Sequence, residues 1–177
     1  LTDTTGVQVY HKSKLVVGVE TLPFRNIIEP LLGNVMLDFG GTVLTRATQE
    51  EREAFPLYSG VKISPVICYE SVYGEFVTGY VRNGAQVLAI MTNDAWWGDT
   101  PGHKQHMAYA RLRAIETRRA VVRSANTGIS GFISPLGELT AKLPYNTKGV
   151  LSATVYPQKN ITLYVRYGDY IFRLGGF

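Results

Sequence analysis

The sequence predicts an α/β layered domain, and three observations carry that expectation. Residues 61–68 (VKISPVIC) and 85–91 (AQVLAIM) read as buried strands, because each holds a continuous apolar run. Helical periodicity covers residues 72–83 between them and a longer stretch from His103 to about Val122. Residues 129–134 and 138–143 then read as a hairpin around Pro135, Leu136 and Gly137.

The remaining elements follow in chain order. Residues 1–3 read as the end of one strand, Thr4, Thr5 and Gly6 as a turn, and residues 7–10 as the return strand. Residues 23–32 suit a short helix closed by Gly33. Residues 34–60 are mixed, and the acidic run 49–53 reads as solvated. Gly84 is a good cap for the 72–83 helix. Residues 92–102 form a Gly/Asp/Pro-rich loop that holds Trp96 and Trp97. On the long helix Met107, Ala110, Ala114 and Val121 line one side, with Ala108, Leu112 and Ile115 beside them. Arg111, Arg118 and Arg119 fall on its outer face, and residues 150–155 and 161–165 read as late strands.

Composition bounds the function. At 177 residues and 45% hydrophobic, the chain suits one compact domain with a real core. The net charge of +4 fits anionic partners without requiring one. No basic cluster with interleaved aromatics occurs, which argues against a nucleic-acid partner. A single cysteine excludes an internal disulfide. No run of ~18 apolar residues suggests a spanning helix. The short first arm of the hairpin, the opening Leu1 and the apolar close YIFRLGGF together suggest a piece of a larger protein.

Cys68 is the first candidate for chemistry. A lone cysteine in such a domain is ordinarily a small buried hydrophobe. This one sits where a buried strand ends and a helix is about to start, a setting that holds a thiol rigidly beside a helix N-terminus and favours the thiolate. Lys12 ordinarily reads as a solvated surface charge, as do its neighbours His11 and Lys14; the alternative is a desolvated ammonium facing an oxyanion. Glu20, eight residues on, is a surface carboxylate or the group that orients that lysine. Glu70 is a turn carboxylate or part of the Cys68 pocket. His103 and His106 lack a convincing third ligand nearby for a metal. Trp96 and Trp97 are packed residues or a mobile apolar lid.

Four segments then agree in order with one family. YHKSKLVVGVE, PVICYES, the stretch from NDAWWGD to SPLGEL, and YVRYGDY resemble the apolipoprotein N-acyltransferases of the nitrilase superfamily. The resemblance spans nearly the whole chain and is weakest over residues 34–60. It rests on K-x-x-L-V-x-x-x-E, ICYE, ND-x-W-[WF]-G and R-x-G-D. It implies a nitrilase-like four-layer α-β-β-α sandwich, incomplete here, with a Glu-Lys-Cys triad. Lys12 matches the triad lysine, Cys68 the nucleophile and Glu20 a supporting glutamate. Tyr69 and Glu70 match the residues flanking the nucleophile, and Asn93, Trp96 and Trp97 fall at the pocket. The triad's first glutamate is expected upstream of Leu1, since Asp3 is not suitably placed, and Val17 stands where the family pattern has proline.

The resemblance further implies a phospholipid acyl donor, a diacylglyceryl lipoprotein acceptor, and no metal or organic cofactor. It implies a domain on the periplasmic face of the bacterial inner membrane, held there by helices outside the chain. Residues 1–166 would be the C-terminal part of the nitrilase-like domain and residues 167–177 a connector toward a membrane helix. These residues alone are expected to be inactive. A soluble amidase or nitrilase piece and a non-catalytic structural piece are the alternative readings.

Overall fold

A computed structural model of the protein describes residues 6–16, 20 and 48–176. The first hairpin arm and the 23–32 helix expected from the sequence lie outside these residues. In chain order the elements are β1 (Phe55–Pro56), β2 (Lys62–Ile67), a 3-10 turn (Cys68–Val72), α1 (Gly74–Arg82), β3 (Val87–Thr92), a short 3-10 turn (Ala95–Trp97) and α2 (Pro101–Thr117). There follow β4 (Ala120–Ala125), β5 (Ser130–Ile133), β6 (Leu139–Leu143), α3 (Leu163–Tyr167) and α4 (Tyr170–Gly175).

All six strands join one sheet in sequential order. β2, β3 and β4 run parallel, so each step between them needs a crossover, and α1 and α2 supply the two crossovers. β1, β5 and β6 add antiparallel edges. Pro65 sits inside β2 without disrupting the sheet. β1 pairs only with Lys62 and Ile63, so among the described residues Pro65 has no ladder partner on that side.

Strand alternation sorts the side chains. Val66, Leu88, Ile90, Val121 and Ile133 share the face that meets the helices. They pack with Phe76, Val77, Tyr80 and Val81 of α1 and with Met107, Ala110 and Ala114 of α2. Burying each large apolar side chain here contributes roughly 1.5–3 kcal/mol. The other face carries Ile67, Ala89, Met91, Val122 and Phe132 and is only partly covered, with Met91 exposed. One helix layer on one sheet is in keeping with the incomplete nitrilase-like α/β sandwich that the sequence predicts.

The structure departs from the sequence reading at several elements. Residues 7–10 join no sheet. The long helix stops at Thr117, where Arg118 takes a left-handed φ of 51° and turns the chain into β4. Val121 is therefore a strand residue. Leu112 and Ile115 are half-exposed, and His103, His106 and Arg113 occupy buried positions on α2 instead. Arg119 is not on an outer face. It is buried, and its guanidinium donates to the carbonyls of Ala85, Thr117 and Asn160. Residues 150–155 form no strand, and Thr162 caps a helix at Leu163–Tyr167 where a strand was expected.

Candidate active site

β2 ends at Ile67, and the next residue breaks the strand's conformation. Cys68 has φ 50°, in the left-handed region that an L-residue enters at a cost of about 1–2 kcal/mol. That outlier turns the chain sharply and leaves the free thiol half-buried just past the C-terminal end of β2. The helix α1 begins only at Gly74, so a 3-10 turn, and not the α1 N-terminus, surrounds the thiol.

The turn is held from within and from behind. Ser71 Oγ donates to the Cys68 carbonyl at 2.8 Å, and the Tyr73 amide donates to the Glu70 carbonyl at 3.2 Å. Behind it, His106 Nε2 lies 3.2 Å from the Cys68 carbonyl oxygen and 2.9 Å from Ser71 Oγ. Arg113, two turns further along α2, donates to the Val72 carbonyl at 2.8 Å and the Ser71 carbonyl at 3.3 Å. α2 thus grips both ends of the turn.

Glu70 is fully buried and acts as the hub of this region. One oxygen accepts from the Tyr10 hydroxyl at 2.7 Å and the Ser13 amide at 2.6 Å. The other accepts from the Ile67 amide at 2.8 Å and the Tyr80 hydroxyl at 3.2 Å. A buried carboxylate without such donors would cost several kcal/mol. Burial pushes the Tyr10 phenol up to about 12, and Glu70 adds to the rise. Burial, with Glu70 again adding, also pushes the Tyr80 phenol upward. Both hydroxyls therefore stay protonated and keep donating.

The segment anchored by Tyr10 and Ser13 carries Lys12. Its ammonium lies 2.5 Å from Glu20 Oε2, an oxygen that also accepts the Val16 amide at 2.8 Å. Both side chains are largely covered, at 12% and 14% exposed, which makes the pair stronger than a surface salt bridge. The structure therefore joins Lys12, Glu20, Glu70 and Cys68 in one connected region, through Glu70.

The other expected pocket residues divide. Tyr69 stacks edge-on with Tyr73 at 5.2 Å. Asn93 accepts the Ala95 amide at 3.2 Å and shapes the loop after β3. Trp97 packs inward, with its ring 5.1 Å from that of His106. Trp96 is 71% exposed, so the two tryptophans have different surroundings.

Sequence reasoning passed over a buried chain of polar side chains behind the thiol. Asp94 Oδ1 lies 2.9 Å from His106 Nδ1, and Asp94 Oδ2 lies 2.7 Å from an Arg123 nitrogen. Thr92 Oγ1 adds a hydrogen bond to Asp94 at 2.9 Å, and Arg123 also donates to the Ile129 carbonyl. Asp94, His106 and Arg123 are each at least 97% buried. Desolvation works against the Asp94 charge, but the His106 hydrogen bond and the Arg123 cation outweigh it and hold the carboxyl at about 2. Gly128 makes room, because a Cβ there would collide with the Asp94 carboxylate. The signal available in the sequence was an arginine inside the apolar run AVVRSA.

Comparison with known proteins places this geometry. An apolipoprotein N-acyltransferase of Chlorobaculum tepidum is 36% identical over 171 residues, covering 93% of this chain and 31% of the relative. The chain spans about a third of the length of the curated relatives it matches, each covered to about 31%. The motif resemblance read from the sequence is thereby borne out. Among solved structures, a carbon–nitrogen hydrolase from Helicobacter pylori matches with a TM-score of 0.56 at 16% identity, covering 79% of this chain and 53% of that one. An amidase from Nesterenkonia, described with acrylamide added at its active-site cysteine, matches with a TM-score of 0.52 at 16% identity, covering 78% of this chain and 54% of that one. Both show the likeness of fold. The sequence profile of the carbon–nitrogen hydrolases matches residues 2–161, and the chain belongs to that family.

Proposed function

We propose that the full-length protein carrying this chain is an apolipoprotein N-acyltransferase. It moves an acyl chain from a phospholipid, through a thioester on Cys68, to the N-terminal amine of a lipoprotein's diacylglyceryl-cysteine. The observation that carries this reading is the left-handed Cys68 turn, tied by Glu70 to the segment that bears the Lys12–Glu20 pair. Similarity to apolipoprotein N-acyltransferases over most of the chain supports the choice of substrates.

In the first half-reaction, a general-base glutamate expected upstream of Leu1 takes the Cys68 proton. The thiolate attacks the ester carbonyl of the phospholipid and forms the S–C bond. Lys12 and the Tyr69 amide, which follows the nucleophile, face the resulting oxyanion. Collapse breaks the C–O bond, and the leaving alkoxide takes the proton from the base to depart as lysophospholipid. In the second half-reaction the neutral lipoprotein amine attacks the thioester and forms the amide. The amine's proton returns through the base, and Cys68 is regenerated as the thiol. Glu20 keeps the Lys12 ammonium oriented throughout. The chemistry requires neither a metal nor an organic cofactor.

The site would face the periplasm at the inner membrane. Residues 167–177 would serve as the connector toward a membrane helix, while residues 1–166 complete the catalytic domain. Exposure of Ile171, Phe172 and Leu174 at 71%, 73% and 75% supports an apolar environment for that connector. Among the described residues no helix is long and apolar enough to cross a membrane. The 177 residues alone would turn over no substrate.

The reading is tested with the full-length protein, phospholipid vesicles and a diacylglyceryl lipopeptide. N-acylated lipopeptide and lysophospholipid should appear in equal amounts, and Cys68→Ala should abolish both. Release of free fatty acid or hydrolysis of a simple amide, without transfer to the lipopeptide, would instead support a hydrolase.

A further inference from the structure

We propose that His106, oriented by Asp94 and Arg123, is a positioning residue that aims the Tyr69 amide at the oxyanion of acyl transfer. The inference rests on the acyl-transfer reading above. It begins with the peptide bond between Cys68 and Tyr69. That bond is planar and trans, so the Cys68 C=O and the Tyr69 N–H lie in one plane and point in opposite directions. Fixing the carbonyl fixes the amide.

The carbonyl is fixed from the interior. Ser71 Oγ and His106 Nε2 both reach it, at 2.8 and 3.2 Å, and both side chains are buried. They draw the oxygen toward α2. The Tyr69 N–H is thereby directed away from α2. The 3-10 turn that begins at Cys68 is only five residues long, so these side-chain bonds reinforce the orientation of its first peptide.

The rest of the chain orients the imidazole. Asp94 accepts hydrogen bonds and donates none when ionised, so the 2.9 Å contact assigns a hydrogen to His106 Nδ1. Ser71 gives its single hydroxyl hydrogen to the Cys68 carbonyl, so the Nε2 contacts with that carbonyl and with Ser71 Oγ need a second hydrogen on Nε2, and the ring holds the carbonyl as an imidazolium paired with Asp94. Arg123 holds the opposite Asp94 oxygen at 2.7 Å and lies 3.2 Å from Nδ1. The Trp97 ring covers the imidazole on another side. A carboxylate that fixes a histidine's angle and supports its positive charge is a recurring support for active groups. Stability alone does not explain the arrangement, because well-packed apolar side chains generally replace buried ion pairs without loss.

The test uses full-length protein and vesicles of dioleoyl phosphatidylethanolamine and phosphatidylglycerol. Two rates are followed: acyl transfer from the vesicles through Cys68 to a diacylglyceryl lipopeptide, read as kcat and KM, and alkylation of Cys68 by iodoacetamide, a displacement at a saturated carbon that forms no oxyanion. His106→Asn keeps a group at the Nδ1 position facing Asp94 but cannot reach the Cys68 carbonyl. His106→Gln places an amide N–H near the Nε2 position. The Asn variant should lose about 10²-fold in kcat with KM unchanged, and the Gln variant should recover about tenfold of that loss. Alkylation should stay within about threefold of the unsubstituted protein in both variants.

Equal kcat values for the Asn and Gln variants would overturn the proposal, and so would alkylation falling in parallel with kcat. Ser71→Ala removes the other donor to the same carbonyl and gives an answer where a His106 variant does not fold. It should lower kcat about tenfold with alkylation unchanged, and an unaltered kcat would overturn the proposal. Absence of acyl-Cys68 in the unsubstituted protein would instead defeat the acyl-transfer reading itself.

Discussion

Glu70 accepts the Ser13 amide at 2.6 Å, and this bond ties the segment that carries Lys12 to the turn that carries Cys68. Among the described residues, every bond to the two Glu70 oxygens comes from a donor: two backbone amides and two tyrosine hydroxyls. Glu70→Gln would turn one acceptor into a donor and set N–H against N–H or O–H. The expected result is a loss of about 1–3 kcal/mol in urea unfolding and a fall in acyl transfer. Tyr80→Phe removes one donor and leaves three, so its cost should be smaller, about 0.5–1.5 kcal/mol.

The left-handed φ of Cys68 predicts an unusual ranking of substitutions. Glycine adopts that conformation without strain, whereas alanine does not. Cys68→Gly should therefore be more stable than Cys68→Ala by about 1 kcal/mol, read from urea midpoints. In an ordinary strand or helix the order is the reverse. Alanine proving the more stable would show that the turn is not strained.

Gly128 stands against the Asp94 carboxylate, so a methyl group there must displace it. Gly128→Ala should destabilise the protein by about 1–3 kcal/mol. It should also lower acyl transfer more than stability alone accounts for, because Asp94 orients His106. Acyl transfer per folded molecule is the measurement that checks this.

Asp94 also sets an acid limit. Its folded-state value lies at about 2, below the ordinary 3.8, so folding favours the charged form. The resulting stabilisation, about 2 kcal/mol, is fully present above the unfolded value and is lost as pH falls from about 4 toward 2. Urea unfolding followed across that range should steepen there. Asp94→Asn should flatten the pH dependence and be less stable at neutral pH, because Arg123 and His106 lose their charged partner.

Much of this was legible in the sequence, for identifiable reasons. Apolar runs ending at Cys68 and Met91, with helical spacing between them, placed β2, α1 and β3 and located the turn that carries Cys68. The α2–β4 boundary was not legible. No glycine or proline interrupts AIETRRAVVRS, and Arg118 takes the left-handed capping position that glycine usually fills. Thr162 illustrates the same difficulty at the other end, since β-branched neighbours hide a helix cap. Lys12 and Glu20 were singled out by the motif resemblance, since each alone reads as a surface charge, whereas the convergence on Glu70 and the Asp94–His106–Arg123 chain depends on residues far apart in sequence. Tertiary contacts alone bring them together.

The most direct test of the central claim is the intact mass of the full-length protein after incubation with phospholipid alone. The account predicts a gain of one acyl chain on Cys68, released by hydroxylamine as a thioester is and discharged on addition of lipopeptide. An unmodified Cys68, together with lipoprotein acylation that survives Cys68→Ala, would contradict it.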